Sequence, residues 1–321
     1  MSLGTQRVVL LSVAAALTTG CTGEQTDTAP PRSGSVVEIV ARGLQFEAPN
    51  EIESGWTTFR FRNESAMIHF ALLQRVPDGV GIEEQQRQVA PVFQEGMNLL
   101  NAGETDAAMQ KFGEVPEWFG QIVFTGGPGL LSPGRTSESI VHLEPGTYLI
   151  ECYVKTNGVF HSYNPDTLAY GMVHQLTVTG IESDASAPEP TLALTISSGR
   201  GIEMTGGVVA GEHTIAVRFE DQQAHENFVG HDVHLVRLTD TTDVSRVAAW
   251  MDWTQTTGLE TPAPAEFLGG TNEMPAGMTG YFTASLEPGR YAWVAEVSNP
   301  ESKGMLQIFE VTADGVGAGQ D

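Results

Sequence analysis

The sequence predicts an all-β protein made of two Greek-key β-sandwich domains in tandem, each interrupted by a helical insertion. Three observations carry that expectation. Short runs rich in β-branched and aromatic residues recur at 36–41, 56–62, 67–75, 138–143, 147–154 and 172–179, with Gly and Pro between them, the pattern of a sandwich built from many short strands. The second half of the chain repeats the first. Leu143-Glu-Pro-Gly-Thr-Tyr-Leu-Ile-Glu-Cys152 and Gly171-Met172 return as Leu286-Glu-Pro-Gly-Arg-Tyr-Ala-Trp-Val-Ala295 and Gly304-Met305, and His69-Phe-Ala-Leu-Leu-Gln-Arg-Val76 returns as His231-Asp-Val-His-Leu-Val-Arg-Leu238. A unit repeated at that spacing is one domain used twice. Finally, Ile82, Val89, Val92, Phe93, Met97, Leu100 and Met109 recur at helical rather than strand intervals.

In chain order, residues 1–20 hold one basic side chain, Arg7, and an apolar run over 8–17 ending in Thr18, Thr19 and Gly20. That is the layout of a secretory signal, too short to remain as a membrane span. Small residues directly before Cys21 resemble the lipobox of bacterial lipoproteins, which implies acylation of Cys21 and an exported, membrane-anchored protein. Residues 21–35 read as a flexible Thr/Pro/Ser tether. The first domain is expected over 36–180, with its helical insertion at 81–112 split near Gly103. A Ser/Ala/Pro/Glu linker over 181–190 leads to the second domain at 191–312, with a shorter insertion near 244–253, and residues 313–321 form a Gly-rich flexible tail.

The chain has 321 residues, 40 Asp and Glu against 16 Lys and Arg, and a formal net charge of -24. Nucleic-acid binding needs the opposite sign. A basic redox protein is a compatible partner, and a surface charged for solubility is the plainer reading. No Gly-x-Ser-x-Gly elbow, His-Glu-x-x-His or phosphate loop occurs, so no hydrolytic site is expected. With Cys21 acylated, Cys152 has no disulfide partner and is either a buried thiol or a metal ligand.

Strand parity bears on that choice. Cys152 alternates in phase with Tyr148, Ile150 and Val154, Met172 with Leu176 and Val178, and His69 with Met67, Ala71 and Leu73. All three point to the apolar side. His161 lies on the loop between the two C-terminal strands. One thiolate, two imidazoles and a thioether are the donor set of a mononuclear type 1 copper centre. Each residue alone also has a plain structural use, as core or turn.

The chain here resembles the cupredoxins, the blue copper family, over 36–180 in ligand types and over 191–312 in architecture only. The residues carrying the resemblance are Asn63-x5-His69, the strand ending in Cys152, and the loop through His161 to Gly171-Met172. The resemblance implies one copper in the first domain, with His69, Cys152 and His161 equatorial and Met172 axial, in an electron carrier rather than an enzyme. The Cys-x8-His and His-x10-Met spacings are longer than that family's usual loops. The second domain has Ala295 in the Cys position and no His between Ala295 and Met305, so it is expected to be structural or a binding surface. His-Cys-His and His-x-His pairs of multicopper oxidases and copper nitrite reductases are absent from both units. Two other functions fit the same residues: a metal-free β-sandwich lipoprotein acting as a binding module, and a copper chaperone or storage protein. A further cluster, His225, His231, Asp232 and His234, offers donors for zinc or copper, although His231 and His234 are expected on opposite faces of a strand. Trp250 and Trp253 are expected in the core, and His142, His174 and His213 toward solvent or neighbouring strands.

Overall fold

The computed structural model describes residues 36–166 and 169–313. The signal peptide, Cys21, the tether and all but the first residue of the tail lie outside the described residues. Among the described residues no helix is long and apolar enough to cross a membrane.

The first half contains β1 (Val36–Arg42), β2 (Gln45–Glu47), β3 (Glu51–Asn63), β4 (Leu72–Val76), helices α1 (Ile82–Gln88), α2 (Ala90–Asn101) and α3 (Thr105–Phe112), then β5 (Val123–Phe124), β6 (Thr136–Leu143), β7 (Gly146–Glu151), β8 (Lys155–Thr156), β9 (Val159–Phe160) and β10 (Val173–Glu182). The second half contains β11 (Leu192–Ser197), β12 (Gly201–Met204), β13 (Val208–Val209), β14 (Gly211–Phe219), β15 (Val233–Leu238), α4 (Val244–Trp250), β16 (Glu266–Thr271), β17 (Thr279–Leu286), β18 (Gly289–Val294) and β19 (Leu306–Thr312). The all-β expectation holds, with helical insertions at the expected places in both halves. The first insertion has an additional break at Val89, two residues before Pro91 in the first turn of α2. Proline lacks the N–H an uninterrupted helix would need there.

Each half is a two-layer sandwich with the same strand logic. One layer runs β2-β1-β3-β6 in the first half and β12-β11-β14-β17 in the second; the other runs β10-β7-β4-β5 and β13-β19-β18-β15-β16. In the first half, β3 is long enough to serve both layers, pairing in parallel with β1 along its later residues and with β10 along its first. The second half divides that role between β13, which pairs with β19, and β14, which pairs with β11. The Pro-Gly turns before β7 and β18 are locked identically: the Tyr148 hydroxyl donates to the Glu144 carbonyl at 2.8 Å and the Tyr291 hydroxyl to the Glu287 carbonyl at 3.0 Å.

The two halves belong to one compact unit. They join edge to edge, β6 to β17, with Ile140 opposite Tyr281, Ser139 opposite Phe282 and Glu138 opposite Thr283. Pairing two edges removes both as sites for unwanted strand addition. The helical insertion also reaches across: Phe93 of α2 and Phe112 of α3, together with Phe160 of β9, pack on Trp253 with ring centroids 5.5–5.8 Å apart. Trp250 and Trp253 are buried, as expected. Lys155, fully buried, donates from Nζ to the Trp253 and Gln255 carbonyls at 2.8 Å each.

Candidate metal centre

The ladder of β4 begins at Leu72, later than the expected strand start at 67. His69 instead exchanges backbone hydrogen bonds with Leu131, its N–H donating to the Leu131 carbonyl at 3.3 Å and its carbonyl accepting from the Leu131 N–H at 2.8 Å. The approach to His69 is fixed by buried Asn63, whose Nδ2 donates to the Met67 and Leu131 carbonyls at 2.7 and 2.8 Å. Strand β7 likewise ends at Glu151, so Cys152 is the first residue beyond it, where expectation had placed the strand through 154.

The long Cys–His spacing closes because it is a hairpin. β8 and β9 pair across Asn157-Gly158, both with positive φ (53° and 74°), the two-residue turn that Asn-Gly favours. The chain therefore returns at once, and the His161 N–H donates to the Val154 carbonyl at 2.8 Å. Two further bonds complete a backbone stitch: the Met172 N–H donates to the His161 carbonyl at 2.7 Å and the Cys152 N–H to the Met172 carbonyl at 3.1 Å. Gly171 permits this approach, because a Cβ there would stand 2.1 Å from the Ser162 carbonyl oxygen.

These constraints bring three of the four predicted donors together. Cys152 Sγ lies 3.4 Å from His69 Nδ1 and 3.8 Å from His161 Nδ1, and the two nitrogens are 3.2 Å apart. Three donors placed 120° apart around one ion, nitrogen at about 2.0 Å and sulfur at about 2.3 Å, stand about 3.5 Å (N–N) and 3.7 Å (N–S) from one another. The donor set and its spacing fit a trigonal metal site. Met172, the fourth predicted residue, is fully buried and held in the same stitch.

The electrostatics set the protonation states. Burial pushes the Cys152 thiol up to about 12, against a smaller lowering by the Phe70 and Val154 backbone. Burial lowers His69 to about 4, partly offset by the Gly43 backbone, and lowers His161 to about 3 with a contribution from neighbouring His69. Both imidazoles are therefore neutral at pH 7. His161 Nε2 contacts the Thr156 hydroxyl at 2.9 Å, and Thr156 in turn contacts the Thr261 hydroxyl at 2.7 Å. A partner at Nε2 fixes the ring and leaves the Nδ1 lone pair for an ion.

Several positioning residues have only weak local signals in the sequence. Gln86 of α1 accepts from the Gly171 N–H at 2.7 Å and donates to the Ser162 carbonyl at 2.8 Å, clasping the loop between His161 and Met172. Gln94 of α2 accepts from the Phe160 N–H at 2.9 Å and donates to the Gly158 carbonyl at 3.0 Å. Gln85 and Gln74 donate to the buried Glu151 carboxylate. The helical insertion is thus a clamp on the loops of the candidate site.

The cluster predicted in the second half separates into two. His225 Nε2 and His231 Nδ1 face one another at 3.3 Å. Asp232 turns away from them, accepting from the Glu296 N–H at 2.6 Å and meeting His234 Nε2 at 2.7 Å. Asp232, His234 and Glu296 are close enough to surround an ion. However, His234 Nδ1 accepts the Leu130 N–H at 3.1 Å, so the ring proton sits on Nε2 and is donated to Asp232, leaving no lone pair there for a metal. His142 lies edge-on to Trp56, His174 reaches the Pro49 carbonyl, and His213 bonds Thr191 and the Val209 carbonyl, all outside these clusters.

The two layers, with a Cys-His-Met stitch at the end of one of them, make a cupredoxin-like sandwich used twice. No protein-family model matches the chain, and no curated protein matches it by sequence. Among solved structures, auracyanin B matches 40% of this chain over 93% of its own length at 18% identity and a TM-score of 0.29. Auracyanin A, a blue copper protein from the green thermophilic photosynthetic bacterium Chloroflexus aurantiacus, matches 45% of this chain over 98% of its own length at 23% identity and a TM-score of 0.24. A multicopper oxidase covers 87% of this chain and 88% of its own, at 13% identity and a TM-score of 0.20. With TM-scores this low, the case for a copper site stands on the His69, Cys152 and His161 geometry of this chain.

Proposed function

We propose that this protein is an exported copper protein whose first half carries single electrons through one type 1 copper held by His69, Cys152, His161 and Met172. The observation that carries the reading is the 3.2–3.8 Å triangle of two imidazole Nδ1 atoms and one thiol sulfur. Copper, when bound, supplies reversible one-electron chemistry. The residues' own part is to bind and to stay still. His69 and His161 offer neutral nitrogens, and Cys152 gives up its proton on binding, so affinity rises with pH. The Cys152–Met172–His161–Val154 stitch and the Gln86 clasp oppose any change of donor positions between oxidation states. His69 and Cys152 are fully buried, whereas His161 lines a surface cleft of about 470 Å³ with Met67, Thr156 and Tyr163. Electrons would leave through the His161 edge, where exposed Leu44, Val159 and Tyr170 offer an apolar contact for a redox partner.

The proposal includes acylation of Cys21 as the membrane anchor, supported by the small residues preceding it, and a basic partner suited to a net charge of -24. The deciding experiment is a visible spectrum after Cu(II) addition to the purified protein and to Cys152→Ser. An intense red-end band present in the first and lost in the second supports thiolate–copper bonding; no band at stoichiometric copper would leave the sandwich as a binding module.

A further inference from the structure

The second half lacks the cysteine but keeps other parts of a metal site in register. Ala295 N–H donates to the Met305 carbonyl at 2.9 Å, as Cys152 N–H does to Met172 at 3.1 Å, so Met305 occupies the position of Met172 and is equally buried. His231 occupies the position of His69. In the first half the facing nitrogens of His69 and His161 are 3.2 Å apart with rings tilted by 55°; in the second, His225 Nε2 and His231 Nδ1 are 3.3 Å apart with rings tilted by 57°. The second imidazole comes from a different place in the chain. His225 precedes β15, in a turn closed by its own N–H to the Val229 carbonyl and by the Phe228 N–H to its carbonyl, both 2.9 Å.

We propose that this pair, with Met305 as the third donor, is a second and thiolate-free site that binds Cu(I). His231 Nε2 donates to the Asp221 carbonyl at 2.9 Å, which places the ring proton there and leaves the Nδ1 lone pair facing His225. Phe219 stacks parallel to the His231 ring and holds its plane. Without an ion, His225 donates its Nε2 proton to His231; binding moves that proton to Nδ1 of the same ring, so no proton is released. Two nitrogens 3.3 Å apart, each about 2.0 Å from one ion, subtend about 110° there, an angle that leaves a third position open. The donor at hand by register is a thioether, and neutral imidazoles with a thioether select Cu(I) over Zn(II) and over hard cations. Both rings are buried, His225 at 9% exposure and His231 fully, which keeps competing water away from the pair.

The test is anaerobic titration of the whole protein with Cu(I) against a chromophoric Cu(I) chelator. The wild type is expected to take two Cu(I) per chain and His225→Gln one, with the Cu(II)-thiolate band of the first half unchanged in His225→Gln as the control for folding. Met305→Leu, which conserves volume, is expected to weaken the second ion at least tenfold. An equal Cu(I) count in wild type and His225→Gln overturns the site, as does Zn(II) displacing the second Cu(I) at equal concentration. The choice of Met305 as third donor rests on the proposed role of Met172, but the histidine pair does not: a missing thiolate band with one Cu(I) lost in His225→Gln, at unchanged circular dichroism, would sink the first reading and keep this one.

Discussion

The two halves of the molecule share a scaffold and differ in the side chains at one end of it, and the difference separates what the fold needs from what the proposed metal site needs. Tyr148 and Tyr291 lock the same turn, and Cys152 and Ala295 make the same backbone bond to Met172 and Met305. A small apolar residue therefore suffices for the sandwich at the cysteine position. What the first half adds is the β8–β9 hairpin that returns His161 to Cys152 and the three-helix insertion that clasps the loop behind it. The second half has one short helix, α4, and acids where the first half has apolar or aromatic side chains: Asp232 for Phe70 and Glu296 for Tyr153.

The comparison breaks most sharply at Cys152. Cys152→Ser should abolish thiolate–copper absorption entirely while leaving the thermal unfolding midpoint within a few degrees of wild type, because Ala295 already shows that the scaffold tolerates the loss. A large drop in the midpoint would mean the thiol is a packing element first. Conversely, Ala295→Cys places a thiol in the register of Cys152 beside His231, and a new thiolate–copper band from that variant would show that one residue separates the two halves' chemistry.

The acids of the second half give the next largest effect. Burial, with neighbouring Asp232, pushes Glu273 up to about 8, and burial holds Glu296 well above the carboxylate range beside Tyr153, whose hydroxyl donates to it at 3.2 Å. A carboxyl raised in the folded state stabilises fully below its unfolded pKa, and that stability is lost as pH climbs through the folded value. Stability should therefore fall on the order of a few kcal/mol between about pH 5 and 8. Glu273→Gln, which can still accept the Gly230 N–H, should flatten that fall in denaturant titrations across the range; an unchanged slope would place the titration elsewhere.

Thr156→Val then tests the ring that only the first half possesses. It removes the hydroxyl at His161 Nε2, and losing such a partner should weaken copper about 10–100-fold, read by competition with a chelator of known affinity. No change would mean the hairpin alone orients His161.

Much of this was legible locally. The repeat and the positions of the two insertions stand in the sequence as turn chemistry and spacing, and parity with the loop position picks out the candidate donors His69, Cys152, His161 and Met172, of which the structure gathers the first three. The Asn157-Gly158 signal that closes the long Cys–His spacing was also there, but its meaning depends on pairing Lys155 with Phe160, which spacing alone does not reveal. The joining of β6 to β17 was not legible, because an edge that pairs with another domain has the same alternation as one that faces water. Nor were Gln85, Gln86 and Gln94, since a glutamine on an amphipathic helix reads as surface until the loop it holds is known. His69 and Cys152 fell just outside the ladders where the expected strands had placed them, because bonds to Leu131 and Met172 substitute for regular pairing there.

The smallest expected effect concerns that clasp, and it isolates what the helical insertion contributes to the first half alone. Gln86→Ala leaves the Gly171 N–H and the Ser162 carbonyl without their side-chain partner, which should cost about 1–2 kcal/mol of local stability with the metal-binding residues untouched. Because the loop is also held by the Met172 N–H on the His161 carbonyl, copper should still bind, but amide hydrogen exchange at Gly171 and Met172 should quicken roughly tenfold or more while exchange at Met305 in the unclasped half stays at its wild-type rate. Equal protection in both proteins would assign the loop's order to the backbone stitch, and the insertion would then act on the site through Gln94 and Gln85 rather than through Gln86.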